Sequence, residues 1–246
     1  MSTPPISEVQ VIKTIPLFQG LTEQELEQVE KASRRQSLET GRYLYYEADP
    51  AESVYALLKG KIKLSQVTPE GQQVILHYVS PGEAFGVISV LSEASFPVSA
   101  QTVEDSLILG WDRETMNRLM EGMPRIAINA VRILAGRVRE FQDRIRELST
   151  ERVERRIARA LLRLARQIGV KVQEGVLIDL PLSRQDLAEM TGTTLFTVSR
   201  TLSQWESRGI IQSGRERVII RFPHGLVSIA EDLPQDLAGR TLPEEE

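Results

Sequence analysis

Cysteine is absent from this sequence of 246 residues, and the only two histidines are His77 and His224. Without cysteine there can be no disulfide, no cysteine nucleophile, and no zinc or iron–sulfur site that depends on thiolate ligands. Cysteine-free chains are compatible with a reducing compartment. The sequence also lacks a G-x-x-x-x-G-K phosphate loop and a metal-spaced histidine cluster. We therefore expect a protein that is not an enzyme and that holds no metal ion.

Long hydrophobic runs are also missing. No apolar run approaches the ~20 residues that a transmembrane helix needs, and residues 1–7 lack the basic and then apolar pattern of a signal peptide. We therefore expect a cytoplasmic protein that has no membrane partner. Hydrophobic residues make up 41% of the chain, which is enough for a core. At about 100–200 residues per domain, the length fits one large domain or two small ones.

The net charge of −4 is unevenly distributed along the chain. Residues 1–149 carry a net charge of −4, residues 150–222 carry +5, and residues 223–246 carry −5. A basic segment attracts polyanions locally, whatever the total charge is. Six arginines at helical spacing contribute to this segment: Arg152, Arg155, Arg156, Arg159, Arg163 and Arg166. A solvated helix face would have the same composition, so charge alone does not identify a nucleic-acid site.

The first half of the chain has the sequence pattern of a β protein. A capping-box pair, Thr22 and Glu25, opens a predicted helix over residues 21–32. Glycines and prolines then separate short strand-like runs, and Thr68–Gly71 has the composition of a hairpin turn. The runs are Tyr43–Tyr46, Val54–Leu58, Ile62–Val67, Val74–Tyr78 and Leu107–Trp111. Many short strands with regular turn signals predict a β-sandwich or jelly roll.

A long helix is predicted next. Asp112 is a suitable N-cap for a helix over Arg113–Met120, and Pro124 suits the first turn of a longer helix that reaches Thr150. Apolar residues follow one another at spacings of four and three along it: Ala127, Val131, Leu134, Val138, Phe141, Ile145 and Leu148. This heptad seam has charged flanks, which favours packing against a second copy in a parallel homodimer. The alternative is an amphipathic helix that lies on its own domain.

A helix-turn-helix pattern lies within the basic segment. After a helix over residues 151–167 and a strand over Gly175–Leu180, two short helices are predicted over Arg184–Met190 and Thr194–Arg208, with Gly192 at the turn. The spacing of the apolar residues buries one side of the second helix. Its exposed N-terminal face then holds Leu195, Phe196, Thr197, Ser199, Arg200 and Ser203. A recognition helix reads base edges with such residues. A plain helical hairpin is the competing interpretation, and a ligand-binding scaffold without a DNA role is the competing function.

Two features follow the second helix. Ile210–Phe222 has the pattern of a β-hairpin, with Ser213, Gly214 and Arg215 at or near its turn, and we interpret it as a wing beside the recognition helix. Residues 224–246 are predicted to form an acidic tail, which we expect to be disordered from Pro234 onward.

This order of parts resembles the CRP/FNR superfamily of bacterial transcription regulators over about residues 16–222. The motifs that carry the resemblance are Ile15–Phe18, Pro81–Glu83, Ser183–Ala188, Gly192–Thr194 and Thr197–Arg200. The resemblance implies an α+β protein with a β-roll sensor domain (1–123), a dimerisation helix (124–150) and a winged helix-turn-helix (151–223). It also implies a homodimer that regulates transcription on palindromic double-stranded DNA, with RNA polymerase as a partner if it activates.

The same resemblance implies roles for individual residues. Arg200 matches an arginine that contacts guanine, and Thr197 and Ser199 match neighbouring contacts to bases or phosphate. Phosphate contacts are implied at the start of the first helix and at the wing: Ser183, Arg184, Gln185, Ser213 and Gly214. Thr194, Leu195, Phe196 and Arg215 complete the predicted DNA-binding set. Leu195 and Phe196 depart from the family, because many members have a polar or acidic base-reading residue there.

The effector is not apparent from the sequence. Members that bind cyclic nucleotides have Gly-Glu and Arg-Ser-Ala motifs, where this chain has Gly86-Val87 and Pro97–Ala100, so cyclic AMP binding in the usual mode is not expected. An iron–sulfur cluster is excluded by the lack of cysteine. A haem-dependent regulator that responds to nitric oxide or carbon monoxide stays open, with His77 as a candidate axial ligand, against a hydrogen-bonded strand histidine. Core packing is likewise the alternative to haem ligation for three methionines: Met116, Met120 and Met123.

Overall fold

The computed structural model describes residues 8–88 and 95–233 of the chain. The chain divides into two compact units, Met1–Gln142 and Asp143–Glu246. The division falls inside one long helix, whereas the predicted domain limits lie at the two ends of that helix.

The first unit begins with short helices. These are α1 (Glu8–Thr14), a 3-10 turn (Pro16–Phe18) and α2 (Glu23–Lys31). The capping box predicted for α2 is present, because the Thr22 amide donates to the Glu25 carboxylate at 2.7 Å and the Glu25 amide donates to Thr22 Oγ1 at 3.3 Å. The predicted helix is confirmed, while α1 was not predicted.

Eight strands form two antiparallel sheets of four, with orders β1-β8-β3-β6 and β2-β7-β4-β5. The strands are β1 (Arg34–Leu38), β2 (Tyr43–Tyr45), β3 (Ser53–Lys59), β4 (Ile62–Val67), β5 (Gln73–Val79), β6 (Ala84–Phe85), β7 (Ser99–Thr102) and β8 (Ser106–Asp112). The hairpin turn predicted at Thr68–Gly71 joins β4 and β5, where the Gly71 amide donates to the Thr68 carbonyl. Strand β1, which is mostly exposed, and the short strands β6 and β7 were not predicted.

Alternation along the strands divides the apolar residues between two cores. On β3, Val54 and Ala56 belong to a cluster with residues of α1, α2 and Trp111, so the helices cover one face of the first sheet. Leu57 belongs to a second cluster that draws residues from both sheets, including Tyr45 and Ile62. This second cluster fills the space between the sheets.

Two further helices follow the β-roll: α3 (Arg113–Gly122) and α4 (Pro124–Thr150). Asp112 caps α3 as predicted, since its Oδ1 accepts from the Thr115 amide at 2.8 Å. The bounds of α4 are those predicted. Buried Asn129 anchors its first turns by donating to the backbone carbonyls of Leu17 and Gln19. Within residues 8–88 and 95–233, no helix combines the length and the apolar composition needed to cross a membrane.

The second unit combines helices with a small antiparallel sheet in the order β11-β12-β10-β9. Its elements are α5 (Val153–Ile168), β9 (Gly169–Val172), β10 (Gly175–Ile178), α6 (Arg184–Thr191), α7 (Leu195–Ser207), β11 (Ile211–Gly214), β12 (Arg217–Ile220) and α8 (Pro223–Glu231). A fold made of a β-roll, a long helix and a winged helix-turn-helix confirms the predicted fold class.

The last helix corrects the predicted extent of the acidic tail. Residues 224–231, which the sequence analysis assigned to the tail, belong to α8, which packs against α5. Pro223 stands in its first turn, and Leu226 and Ala230, four residues apart, are fully buried. The acidic composition predicted a tail from residue 224 onward, but a short amphipathic helix precedes most of the acidic residues. The predicted disorder from Pro234 onward lies outside the described residues.

Candidate nucleic-acid interface

Side-chain caps and one left-handed glycine set the shape of the helix-turn-helix. Ser183 begins α6 by accepting from the Asp186 amide at 3.0 Å, and Asp186 accepts in return from the Ser183 amide at 2.9 Å. Gly192 ends α6 with a φ of 59°, a conformation that glycine adopts without steric cost. Thr194 then begins α7 by accepting from the Thr197 amide at 3.2 Å. The turn between the two helices is therefore encoded locally.

The second helix, α7, has one buried and one exposed side. Val198, Leu202 and Trp205 are fully buried, as the apolar spacing predicted. On the exposed side, Leu195 is 48% and Phe196 is 74% exposed, and Arg200 is exposed one turn later. We call these three residues the reading face of α7.

The wing lies beside the start of α6. Strands β11 and β12 pair from Ile211–Ile220 to Gly214–Arg217, which leaves Arg215 and Glu216 as the turn. Ser213 is held by the Glu206 carboxylate, which accepts from its amide at 2.7 Å and from its hydroxyl at 3.2 Å. One concave surface combines the wing with the starts of both helices; it is lined by Ser183, Arg184, Gln185, Leu195, Gly214, Arg215 and Glu216.

The structure thus brings six of the predicted DNA-binding residues to one concave surface of the second unit: Ser183, Arg184, Gln185, Leu195, Gly214 and Arg215. Thr194 is exposed, while Thr197 and Ser199 are half-buried. Thr194 and Thr197 also share a hydrogen bond between their hydroxyls at 2.9 Å, so both belong to the cap of α7. Their roles in contacting bases or phosphate stay predictions.

Several arginines of the basic helix α5 are used inside the fold. Arg155 and Arg159 both pair with the Glu151 carboxylate, at 3.8 and 3.0 Å, and Arg163 pairs with Glu147 at 2.7 Å. Acidic partners therefore neutralise part of the positive charge that the sequence analysis considered for polyanion binding. Arg215 on the concave surface is exposed, as are Arg217 on the wing and Arg200 on α7.

Two arginines that the sequence analysis did not assign to the site hold the end of α6. Arg144 donates to the Met190 carbonyl at 2.8 Å, and Arg156 donates to the Thr191 and Gly192 carbonyls at 3.1 and 3.2 Å. Burial, together with the neighbouring Arg163 cation, lowers the pKa of Arg144 to about 10. The last carbonyls of a helix need such donors. These contacts position the turn that leads into α7, and no local sequence signal marks them.

In the first unit, His77 is engaged on both sides of its ring. Its Nε2 lies 2.8 Å from Glu83 Oε2, and the Arg137 guanidinium lies 3.3 Å from Nδ1 and 3.1 Å from Nε2. This arrangement fits a hydrogen-bonded strand histidine and does not fit an axial haem ligand. Met116 and Met123 are buried in the core and Met120 packs against it, so the methionines are used for packing. In the part of the chain that the structure describes, no group of three or more His, Asp or Glu residues could hold a metal ion.

Stacked aromatic side chains occupy part of the interior of the β-roll, beside aliphatic ones. The rings of Tyr45 and Phe96 stack with their centroids 3.6 Å apart, and Tyr55 stacks on Phe85 at 5.5 Å. Burial raises the pKa of the Tyr45 hydroxyl, which therefore stays neutral. Ser99, in the segment that replaces the Arg-Ser-Ala motif, is buried and accepts from the Glu47 amide at 2.9 Å. Since this segment offers no cation, it does not fit a cyclic phosphate in the family's usual mode.

Comparisons with known proteins agree with this architecture. The family model described as a cyclic nucleotide-binding domain matches residues 35–122, and the one described as a Crp-like helix-turn-helix domain matches residues 155–229. The chain is 33% identical over 211 residues to the cyclic AMP receptor protein of Thermus thermophilus, covering 85% of this chain and 94% of that protein. It is 29% identical over 192 residues to the global nitrogen regulator of Nostoc sp., covering 76% and 85%.

Among solved structures, FixK2 from Bradyrhizobium japonicum aligns with a TM-score of 0.71 and 27% identity, over 80% of this chain and 96% of that one. The family-model matches fall on the β-roll and on the winged helix-turn-helix, and the cyclic AMP receptor protein is similar along nearly its whole length. The chain therefore belongs to the CRP/FNR family of transcription regulators.

Proposed function

We propose that this regulator binds a palindromic duplex site as a homodimer and that each subunit places α7 in the major groove. The observation that carries the proposal is the concave surface where Leu195 of α7, the start of α6 and the wing meet, with Phe196 and Arg200 exposed on the same helix. A recognition helix contacts base edges with its N-terminal residues while neighbouring elements hold the backbone phosphates.

Within this proposal, the residues divide into two roles. Arg200 is exposed on α7 and reads a guanine through its O6 and N7 atoms, the commonest specific contact of arginine. The start of α6 and the wing hold phosphates, through Ser183, Arg184, Gln185, Ser213, Gly214 and Arg215. Arg184 Nη2 lies 3.5 Å from Ser213 Oγ, so these two groups can contact one phosphate together.

The heptad seam of α4 supports the homodimer. Val131, Phe141 and Ile145 are 63%, 48% and 64% exposed in the single chain, and a second copy of the same helix would bury them. Two copies of α7 would then face half-sites about one helical turn apart, or about 34–36 Å. Contact with RNA polymerase is proposed only for the case of an activator.

For the sensor domain, we propose an effector other than a cyclic nucleotide bound in the family's usual mode. The support is the cation-free segment around Ser99 and the aromatic filling of the roll.

The test is a selection of binding sites from random duplex DNA, followed by gel-shift titrations at several salt concentrations. We expect a palindromic site and an affinity that falls as salt rises, because phosphate contacts release counterions. Arg200→Ala is expected to lose about 1–3 kcal/mol of discrimination at one base pair per half-site. Arg208→Ala is the control, because Arg208 is exposed at the other end of α7.

Two outcomes would contradict the proposal. Without a sequence-dependent, salt-sensitive complex, the DNA-binding role fails. If Arg200→Ala instead weakens binding equally on all sequences, Arg200 is a phosphate contact.

A further inference from the structure

Two large apolar side chains are exposed to solvent at the start of α7. Leu195 is 48% exposed, and Phe196, at 74%, is more exposed than the other large hydrophobic side chains in the described ranges. Phe196 stacks on no other ring in the part of the chain that the structure describes. The fold of the second unit therefore makes little use of either side chain.

Both side chains are held in place by their helix. Thr194 caps α7 immediately before Leu195, and three buried residues on the opposite side fix the rotation of the helix about its axis: Val198, Leu202 and Trp205. Leu195 also lines the concave surface next to Arg184 and Arg215. Leu195 therefore lies on the surface that we assign to DNA, and Phe196 is the next residue of the same helix.

The positions of Leu195 and Phe196 relative to Arg200 predict which base pairs they would contact. Residues four apart on a helix lie on the same face, one turn from each other. Phe196 is therefore one turn closer to the N-terminus than Arg200, and Leu195 adjoins it. If α7 enters the major groove with its N-terminus first, base pairs next to the one read by Arg200 meet apolar side chains.

The chemistry of base edges then restricts the sequence. In the major groove, the C5 methyl of thymine is the apolar group, while guanine, adenine and cytosine present hydrogen-bonding atoms. An apolar side chain over the cytosine amino group or over guanine O6 would desolvate that group without replacing its hydrogen bond. Contact with Leu195 or Phe196 should therefore stabilise the complex at thymine and destabilise it at the other bases.

We infer that Leu195 and Phe196 are specificity-determining residues that select thymine, through its C5 methyl, beside the guanine contacted by Arg200. The inference rests on the proposed DNA-binding function and names the chemistry of the half-site that this function would recognise.

The test replaces thymine by deoxyuridine in the selected half-site, one position at a time. This substitution removes the C5 methyl and leaves the hydrogen-bonding edges unchanged. We expect about a fourfold loss of affinity for each contacted methyl, the value for one buried methylene-sized group. Phe196→Ala and Leu195→Ala are each expected to bind thymine and deoxyuridine equally at the position that the replaced side chain contacts, and to keep the preference for guanine.

Two further variants sharpen the test. Gln204→Ala is the matched control, because Gln204 is exposed in the later turns of α7, and it should keep the full methyl dependence. Phe196→Glu should change the preference at one position from thymine to cytosine, because a carboxylate accepts from the cytosine amino group. Since Phe196 is exposed, neither of its substitutions should affect folding.

The outcomes separate this inference from the function on which it rests. If no specific DNA complex forms, the proposed function fails. If a specific complex forms and depends on Arg200 but not on any thymine methyl, the proposed function stands and the inference is overturned. Loss of affinity in Phe196→Ala without methyl dependence in the wild type would also overturn it, because the ring would then act by insertion or by shape.

Discussion

At the residue scale, the second unit contains a charge pair that is largely withdrawn from water. Glu147 on α4 is 5% exposed, and both of its carboxylate oxygens accept from Arg163 Nη1 on α5, at 2.7 and 2.9 Å. Arg163 keeps 38% of its side chain exposed. Breaking a buried pair is costly because it leaves one charge without a partner.

We therefore expect Arg163→Ala to lower the free energy of unfolding of the second unit. Breaking a fully buried pair costs about 3–5 kcal/mol. The loss here should not exceed the lower end of that range, because solvent screens the exposed part of Arg163. Glu147→Gln combined with Arg163→Met should recover most of it. Urea titration followed by Trp205 fluorescence in a Trp111→Phe background measures this, since the chain has two tryptophans. If Arg163→Ala leaves the free energy of unfolding unchanged, the Glu147–Arg163 pair does not contribute to stability.

At the element scale, short polar side chains decide where the helices begin. Thr22, Asp112, Ser183 and Thr194 each accept a hydrogen bond from an amide three residues later. Because such a cap depends on neighbouring residues only, sequence spacing predicted the starts of α2, α3 and α6.

The Asp112 cap predicts a pH dependence of stability. Hydrogen bonds from the Thr115 amide and hydroxyl hold the pKa of Asp112 below its usual value. A lowered carboxylate pKa contributes stability above the unfolded value of about 3.9, and this contribution is lost as the pH falls through the folded-state pKa. Asp112→Asn should therefore lack this contribution at pH 7, and it should lose less stability than the wild type on acidification. Asp112→Ala should lose about 1 kcal/mol at pH 7.

Thermal unfolding at pH 7 and at pH 3 measures both variants. If Asp112→Asn loses as much stability as the wild type between these pH values, the Asp112 carboxylate does not contribute to the acid sensitivity.

Gly192 makes a second prediction at this scale. Its φ of 59° is left-handed, and an added Cβ would lie 3.2 Å from Leu148 Cδ2. Gly192→Ala should therefore cost about 1–2 kcal/mol of stability in the second unit. Gly192→Asn should cost less, because asparagine tolerates this conformation better than other residues with a side chain. Denaturant unfolding of both variants checks the order, and equal losses would assign the effect to crowding against Leu148 instead.

At the scale of the whole molecule, the long helix α4 presents an apolar stripe to solvent. Four members of the predicted seam are at least half exposed: Val131, Val138, Ile145 and Leu148. A domain that covered this stripe itself would have buried them. The exposed stripe therefore favours the homodimer interpretation of the heptad pattern over a helix that lies on its own domain.

We expect Ile145→Glu to convert the homodimer into a monomer, because it places a charge in the middle of the seam. DNA affinity should fall with it, since a monomer can contact only one half-site. Sedimentation equilibrium gives the mass, and gel shifts give the affinity. Arg139→Glu, at an exposed position of the same helix outside the seam, is the control. An unchanged mass for Ile145→Glu would contradict the role of the seam.

The accuracy of the sequence predictions follows the range of the interactions. The bounds of α4 and the two helices of the helix-turn-helix were predicted well, because caps, glycine turns and apolar spacing act over a few residues. Helix α8 was not predicted, because the acidic residues that follow it led us to assign residues 224–246 to a tail. The exposed strand β1 was missed because four of its five residues are exposed, so it lacks the alternation that marks a half-buried strand.

The amino-acid sequence by itself determined the family architecture, the exposed N-terminal face of α7 and the absence of cysteine chemistry. Only the tertiary structure decided which charges remain available and how the sensor domain is filled. Arg156 donates to a carbonyl 36 residues away, and Arg137 reaches His77 across 60 residues. Such partners meet only when packed helices and strands bring them together. The physical reason is that cap and turn energies depend on neighbours in sequence, whereas charge pairing and burial depend on neighbours in space.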